Sequence, residues 1–408
     1  MSSLNLSASE APDQQEIAQP TSEPMVPFWP MAQQLAKHRA EYQKAFDKVL
    51  DTAWLVNGPQ LSAFEHEWAQ ACGANHAIGV GSGFDALLLC LKVYGLGPGD
   101  RVGVPAHTCP ATAMAVLAAG AIVVPIEVDR QSGNMDPKAL DVVLCQQVLN
   151  AVIIVNLYGR AADWIKLLDV LSHHPSIKII EDNAQGQGVW SDGVPGRQVG
   201  SGNYALSATS FYPTKNIGAL GEAGAITTSD AALAERLRSL RDYGNGPERF
   251  VSTEAGGNYR LDELQAAFLR VKLNGLEAFN QQKVKLSQRL SEALKSIASQ
   301  YPGGQRALIS LPQIGNEGNG HLFIIRTSKR DALQQHLTAQ GIQTMIHYPC
   351  PIHLQPILGH LGYQAGDFPE AEAWADECMS LPSHPLLTDQ DLNRIIKGIA
   401  AFWALHYR

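Results

Sequence analysis

From position 77 onward, short apolar and β-branched runs alternate along the chain with longer stretches whose apolar residues recur every three or four positions. The short runs lie at 77–80, 101–104, 121–125, 151–155, 177–181 and 223–227 and are too short to be helices. Strands that alternate with helical patterns predict a mainly parallel, doubly wound α/β sheet in a large unit, 26–275. A long helical periodicity over 262–294 with few breakers carries the chain out of that unit. Shorter segments follow: 321–326, a helix over 330–341, the tripeptide 347–349 and a last helix from 391 to about 406. They predict a smaller α+β unit, 276–408. Residues 1–25, rich in Ser, Gln, Pro and acid, lack apolar periodicity and predict a flexible arm.

Composition narrows the class. The chain has 408 residues, 45% hydrophobic and 17% charged, with 36 Gly and 23 Pro, which excludes collagen, coiled coil and wholesale disorder and leaves room for two units. A net charge of −8 without a dense Lys/Arg block provides no footprint for nucleic acid or an anionic membrane. Six scattered cysteines with no C-x-x-C pair predict reduced thiols and no zinc site. The longest apolar stretch, 113–128, is broken by Gly120 and Pro125 and carries Glu127, so it does not cross a core of about 30 Å. Glu10, Asp13 and Glu16 precede any apolar run, the reverse of a signal peptide, and the expectation is a cytoplasmic protein.

Three segments carry candidate chemistry. The turn Gly79-Val80-Gly81-Ser82-Gly83-Phe84 follows a predicted strand and opens a helix, where backbone N–H groups and the helix dipole suit a phosphate; an ordinary glycine-rich turn is the competing reading. Asp182 ends a buried-type strand, the edge of an open α/β sheet that faces ligands; a helix N-cap is its alternative. Lys215 sits in Tyr212-Pro213-Thr214-Lys215-Asn216-Ile217-Gly218, with no acid until Glu222. Apolar surroundings disfavour an ammonium and make the amine a better nucleophile toward an aldehyde, the chemistry of a Schiff base; an unremarkable loop lysine is the alternative.

These segments, in this order, resemble the DegT/StrS family of pyridoxal-phosphate sugar aminotransferases, which have the type I aspartate aminotransferase fold. The resemblance extends through Gly95 to Asp100, Tyr158-Gly159, Asn258-Tyr259-Arg260-Leu261-Asp262-Glu263, Gly341 to Pro349 and Leu381-Pro382. It implies a mainly parallel seven-stranded sheet, pyridoxal 5′-phosphate as cofactor, L-glutamate as amino donor and a sugar carbonyl as acceptor. Lys215 would be the Schiff-base lysine and later the base that moves the Cα proton. Asp182 would partner the pyridine nitrogen, and Gln185 would neighbour the ring hydroxyl. Gly81, Ser82, Gly83, Phe84 and Ser210 would line the phosphate. Asn258 would reach the cofactor of a partner subunit, implying a homodimer with shared sites.

Three positions depart from the family pattern. Phe84 replaces a hydroxyl residue at the phosphate turn, and Cys109 stands where an aromatic residue commonly stacks on the cofactor. Arg160 reads first as a surface salt bridge and second as a cleft cation for a carboxylate or phosphate. With His347 and Tyr348, it completes the candidate substrate residues. His347 and His353 lack a third ligand at metal spacing. Asp262-Glu263 with Arg270 and Lys272 predict a solvated helix face. The segments around Lys215 and His347 look most like the branch that aminates dTDP-3-keto-6-deoxyhexoses. The departures leave room for a different acceptor, such as an acidic oxo-sugar like 8-oxo-Kdo on the route to an aminated lipopolysaccharide sugar. Two further classes are a sugar dehydratase of the same fold, which has histidine in place of the lysine, and a non-enzymatic cofactor-binding regulator, which would need a basic DNA-binding module.

Overall fold

The computed structural model describes residues 24–189, 200–246, 248, 250–300 and 318–406; the expected N-terminal arm lies almost wholly outside them. Seven strands form one sheet: β1 His76–Val80, β2 Arg101–Pro105, β3 Ile122–Ile126, β4 Ala151–Val155, β5 Lys178–Asp182, β6 Leu206–Ser210 and β7 Gly224–Thr228. Their spatial order is β1-β7-β6-β5-β4-β2-β3. The pairs β2/β3, β2/β4, β4/β5 and β5/β6 are parallel, whereas β7 runs antiparallel to both of its neighbours. Helices cover the sheet, so β4 is buried at all five positions and its sequence is a continuous Val/Ile run.

One strand escapes the hydrophobic pattern. β6 reads Leu-Ser-Ala-Thr-Ser, and burial between β5 and β7 makes it a strand. The pair Ser210↔Gly224 closes the end of the β6–β7 ladder, so the intervening residues 211–223 form a loop at the carboxyl edge of the parallel strands.

A second, two-stranded antiparallel sheet joins β8 Phe323–Arg326 to β9 Cys378–Leu381. Leu290, Leu294, Phe323, Leu333, Ile395 and Trp403 share one core cluster there, drawn from this sheet and the helices Leu276–Ser299, Arg330–Ala339 and Asp389–His406. Val26 joins that cluster; its N–H donates to the Gly341 carbonyl at 2.8 Å and its carbonyl accepts from Gln343 N at 3.0 Å. The chain therefore enters the fold by docking on its own C-terminal part before it builds the large sheet.

The periodicity predicted over 262–294 resolves into two helices, Glu263–Leu273 and Leu276–Ser299, interrupted at Asn274-Gly275, a turn dipeptide. The first of them corrects an expectation. Glu263 is not on a solvated face: it is fully buried, and its carboxylate accepts from Gly58 N, Gln60 N and Leu61 N at 2.7–2.9 Å. It supplies acceptors to the otherwise unpaired N–H groups that begin the helix Pro59–Cys72, where the dipole favours a negative charge. Arg270 likewise turns inward, to Glu67 and Gln60. Helical spacing marks a face, and only packing decides whether that face meets water.

Candidate active site

Three carboxyl-edge features converge on one cavity of about 450 Å³: the turn after β1, the end of β5 and the loop after β6. Ser82 caps the helix Gly83–Val93, its Oγ accepting from Asp85 N at 3.1 Å. Gly83 leaves no room for a side chain, since a Cβ there would lie 2.5 Å from Ser210 Cβ, and Gly224 closes directly on the Ser82 carbonyl. The cavity wall here is a helix N-terminus with bare backbone N–H groups, joined by the partly buried Phe84.

Asp182 is nearly inaccessible to solvent. Its carboxylate accepts from Thr112 Oγ1 at 2.9 Å and from Ala184 N at 3.1 Å. Burial raises its affinity for a proton, while the Ala184 N–H, the Thr112 hydroxyl and the charge on Lys215 oppose that rise. Lys215 lines the same cavity, and burial holds its ammonium below the ordinary lysine range against the stabilising pull of Cys109 and Asp182. Its loop is fixed from outside. Phe211 packs edge-on against Phe64 and Trp68, Ile217 N donates to Gln187 Oε1 at 3.0 Å, and Asn216 Nδ2 donates to Asn280 Oδ1 at 2.7 Å and the Asn319 carbonyl at 3.1 Å.

A chain of hydrogen bonds backs the third side. Tyr158, at φ 62, gives its N–H to Gln185 Oε1 at 2.6 Å, and Gln185 Nε2 donates to the Tyr348 phenol at 3.0 Å. The Tyr158 O–H donates to the His347 carbonyl, so His107 Nε2, 2.6 Å from the phenol oxygen, must be the protonated nitrogen of its ring. Burial pushes His107 down to about 3 and His347 to about 4, keeping both rings neutral. Cys109 occupies the N-cap position of the helix Pro110–Ala118 without a side-chain cap bond, and lines the cavity with Tyr348.

Of the residues expected at the site, Ser82, Gly83, Phe84, Cys109, Asp182, Gln185, Ser210, Lys215, His347 and Tyr348 line the cavity. Gly81 lies just behind the turn, donating its N–H to the Tyr259 carbonyl at 2.8 Å. Asn258 is exposed and outside the cavity. Arg160 departs from both expectations. It is buried, forms no salt bridge among the described residues and does not line the cavity; its Nε and Nη2 have no hydrogen-bond partner, and desolvation pushes it down to about 10. The strands carry Tyr158 and Arg160 past the cavity wall, which spacing along the chain does not show.

Sequence reasoning passed over Thr112, Asn216, Asn319, His321 and the aromatic pair Phe28-Trp29. Phe28, Trp29 and His321 line the cavity from segments remote in sequence, and Phe28-Trp29 beside Pro27 and Pro30 was the one legible hint. Among the described residues no group of three His, Cys, Asp or Glu is arranged to hold a metal ion, and His353 is buried against Glu372 at 3.0 Å.

The sheet order, the lysine loop after β6 and the aspartate ending β5 define a type I pyridoxal-phosphate-dependent transferase fold. A match over residues 36–400 shows that the chain belongs to the DegT/DnrJ/EryC1/StrS aminotransferase family. It is an aminotransferase. It is 41% identical over 378 residues to the erythromycin biosynthesis sensory transduction protein EryC1 of Saccharopolyspora erythraea, covering 92% of this chain and 99% of that protein. It is 39% identical over 388 residues to the dTDP-3-amino-3,4,6-trideoxy-alpha-D-glucose transaminase of Streptomyces venezuelae, covering 93% and 97% of the two chains. Among solved structures, S. venezuelae DesV in complex with a ketimine intermediate superposes with a TM-score of 0.86 at 38% identity, covering 93% of this chain and 99% of that one. NtdA of Bacillus subtilis with bound cofactor PMP superposes with a TM-score of 0.83 at 26% identity, covering 93% and 85%.

Proposed function

We propose that this chain is a pyridoxal 5′-phosphate-dependent sugar aminotransferase that takes the amino group of L-glutamate and delivers it to the carbonyl of a dTDP-3-keto-6-deoxyhexose in aminosugar biosynthesis. The observation that carries the reading is the meeting of Lys215, Asp182 and a glycine-walled helix N-terminus in one cavity. The residues fit the cofactor. Asp182 is a desolvated carboxylate whose two hydrogen-bond donors are neutral, which suits a protonated ring nitrogen, and the bare N–H groups at Ser82, Gly83 and Phe84 suit a phosphate.

When bound, the cofactor supplies an electron sink for the pair released at the amino acid's Cα. The chain does the rest. Ser82, Gly83, Phe84 and Ser210 would hold the phosphate, Asp182, aimed by Thr112, would keep the ring nitrogen protonated, and Gln185, fixed by Tyr158 N, would serve the ring hydroxyl. Lys215 would hold the cofactor covalently and, once free, would take the proton from the substrate's Cα, a task favoured by the burial that disfavours its ammonium. His347 and Tyr348 line the same cavity and would face the substrate.

A homodimer with shared sites agrees with the exposure of Asn258 and with an exposed apolar band including Leu50, Trp54 and Leu55, which a second copy would cover. The division into units 26–275 and 276–408 is supported by the core cluster around the two-stranded sheet, which apart from Val26 is drawn wholly from the second unit. Six free cysteines and the absence, among the described residues, of a helix long and apolar enough to cross a membrane agree with a cytoplasmic site of action.

The dTDP-linked acceptor is supported by the relative named as a dTDP-sugar transaminase. The test is a split reaction. Glutamate is added to the purified holoenzyme, 2-oxoglutarate is measured, and the aminated enzyme is offered a dTDP-3-keto-6-deoxyhexose or 8-oxo-Kdo. Turnover of the dTDP-sugar is expected; turnover of 8-oxo-Kdo alone overturns the acceptor assignment, and no 2-oxoglutarate from glutamate overturns the donor.

A further inference from the structure

Lys283 lies about two turns into the helix Leu276–Ser299 and is almost wholly buried, although no carboxylate among the described residues pairs with it. Its Nζ donates to the His321 carbonyl at 2.8 Å. The same ammonium sits 5.1 Å from the centroid of the Trp29 ring and 5.8 Å from that of Phe279. Burial alone pushes it down to about 7; the carbonyl and the two ring faces favour the charged form. A buried lysine without a counter-ion is costly, so its contacts must do something the fold cannot obtain from an apolar residue.

What they join is the cavity wall. Trp29 and His321 both line the cavity, whereas Lys283 does not. The Trp29 indole N–H is buried and has no hydrogen-bond partner, so hydrogen bonds do not fix the ring. Its place depends on Lys283 and on edge contacts to Phe279 at 6.4 Å and His384 at 6.2 Å. The backbone around it is tied to the C-terminal part: Phe28 N donates to Gln343 Oε1 at 2.9 Å, and His384 Nε2 lies 3.1 Å from the Pro27 carbonyl. On the other side, Gly320 at φ 65 rests against the Lys283 backbone, which leaves the His321 carbonyl within reach of Nζ.

We infer that Lys283 is a positioning residue that holds Trp29 and His321 together as one wall of the acceptor subsite, so that the Trp29 ring packs against the sugar. This rests on the aminotransferase reading above. Aromatic rings suit the apolar C–H faces of a deoxyhexose, and the wall lies on the side of His347 and Tyr348 rather than at the phosphate turn: Phe28 packs 6.0 Å from the His347 ring. The wall should act on the second half-reaction and leave the first alone.

The test compares holoenzymes carrying Lys283→Met, Lys283→Arg and Trp29→Leu. The measurements are glutamate-dependent 2-oxoglutarate release, acceptor KM with a dTDP-3-keto-6-deoxyhexose, and Kd for the stable product, a dTDP-3-amino-3,6-dideoxyhexose, by calorimetry. Lys283→Met is expected to raise acceptor KM and product Kd about tenfold with 2-oxoglutarate release unchanged, and Lys283→Arg to restore most of the loss. Trp29→Leu should weaken product binding at least as much, and the Lys283→Met/Trp29→Leu double variant no further. A folded Lys283→Met with wild-type acceptor KM and product Kd overturns the inference, as does an equal loss in both half-reactions. Should Lys283→Met fail to fold, Trp29→Leu with unaltered product Kd overturns it as well. Failure of the wild type to release 2-oxoglutarate strikes the aminotransferase reading instead.

Discussion

Burial disfavours the charged forms of both Lys215 and Asp182, and each partly relieves the other. That opposition separates holding from reacting. Lys215→Ala is expected to abolish transamination and to leave the cofactor removable by gel filtration, because the phosphate turn remains but the covalent hold is gone. Asp182→Asn should keep most of the cofactor and lose at least about 100-fold in rate, since the carboxylate acts on the ring's electronics rather than on the phosphate. Equal loss of occupancy and rate in Asp182→Asn would reduce Asp182 to a structural role. Both measurements, bound cofactor by absorbance and turnover by 2-oxoglutarate, come from the same samples.

The elements are held by side chains that cross between them. Glu263 begins one helix and accepts from the N–H groups that begin another, so Glu263→Ala strands three buried donors at once. The expected cost is roughly 3–5 kcal/mol, read as a lower urea midpoint with an unchanged slope. A shift of only a few tenths would mean that water replaces the carboxylate. Pattern reading located the strands 101–104 and 151–155 within a residue, because both are largely apolar runs, the usual composition of parallel strands buried on both faces. It passed over β6, whose Ser207 and Thr209 are buried by neighbouring strands rather than by their own hydrophobicity. It also placed Glu263 in water, since a helical repeat does not reveal which neighbour covers it.

For the molecule as a whole, neutral buried histidines set the acid limit. His107 is pushed down to about 3 and His384 to about 4, so between pH 6.5 and 4 the unfolded chain binds protons that the folded one refuses. Their contribution is therefore present above pH 6.5 and is lost as pH falls toward 4. Thermal stability followed from pH 7 to 4 should drop across that window, and His384→Gln, in a chain that folds, should flatten the drop. A flat profile in the parent protein would show those rings protonated in the fold. At the same scale, inactive Asn258→Ala and Lys215→Ala chains should recover activity when combined as heterodimers, since each dimer would hold one site with both residues intact. No recovery in verified heterodimers would assign Asn258 to its own subunit's site.

Much of the site was legible because its chemistry is local. The glycine turn, the strand-ending aspartate and the isolated lysine each show their character within a few neighbours, and the order of the three resembles one family. The alternation of short and long patterns was enough for a parallel α/β sheet, because most strands buried on both faces are apolar runs. Which side chains share a cavity was decided only by folding. Arg160 passed behind the wall, Asn258 stayed outside, and Trp29, Lys283 and His321 came together from three distant segments. Their contacts depend on how the N-terminal segment docks on the C-terminal part, and a one-dimensional pattern records which residues are apolar but not which surfaces meet.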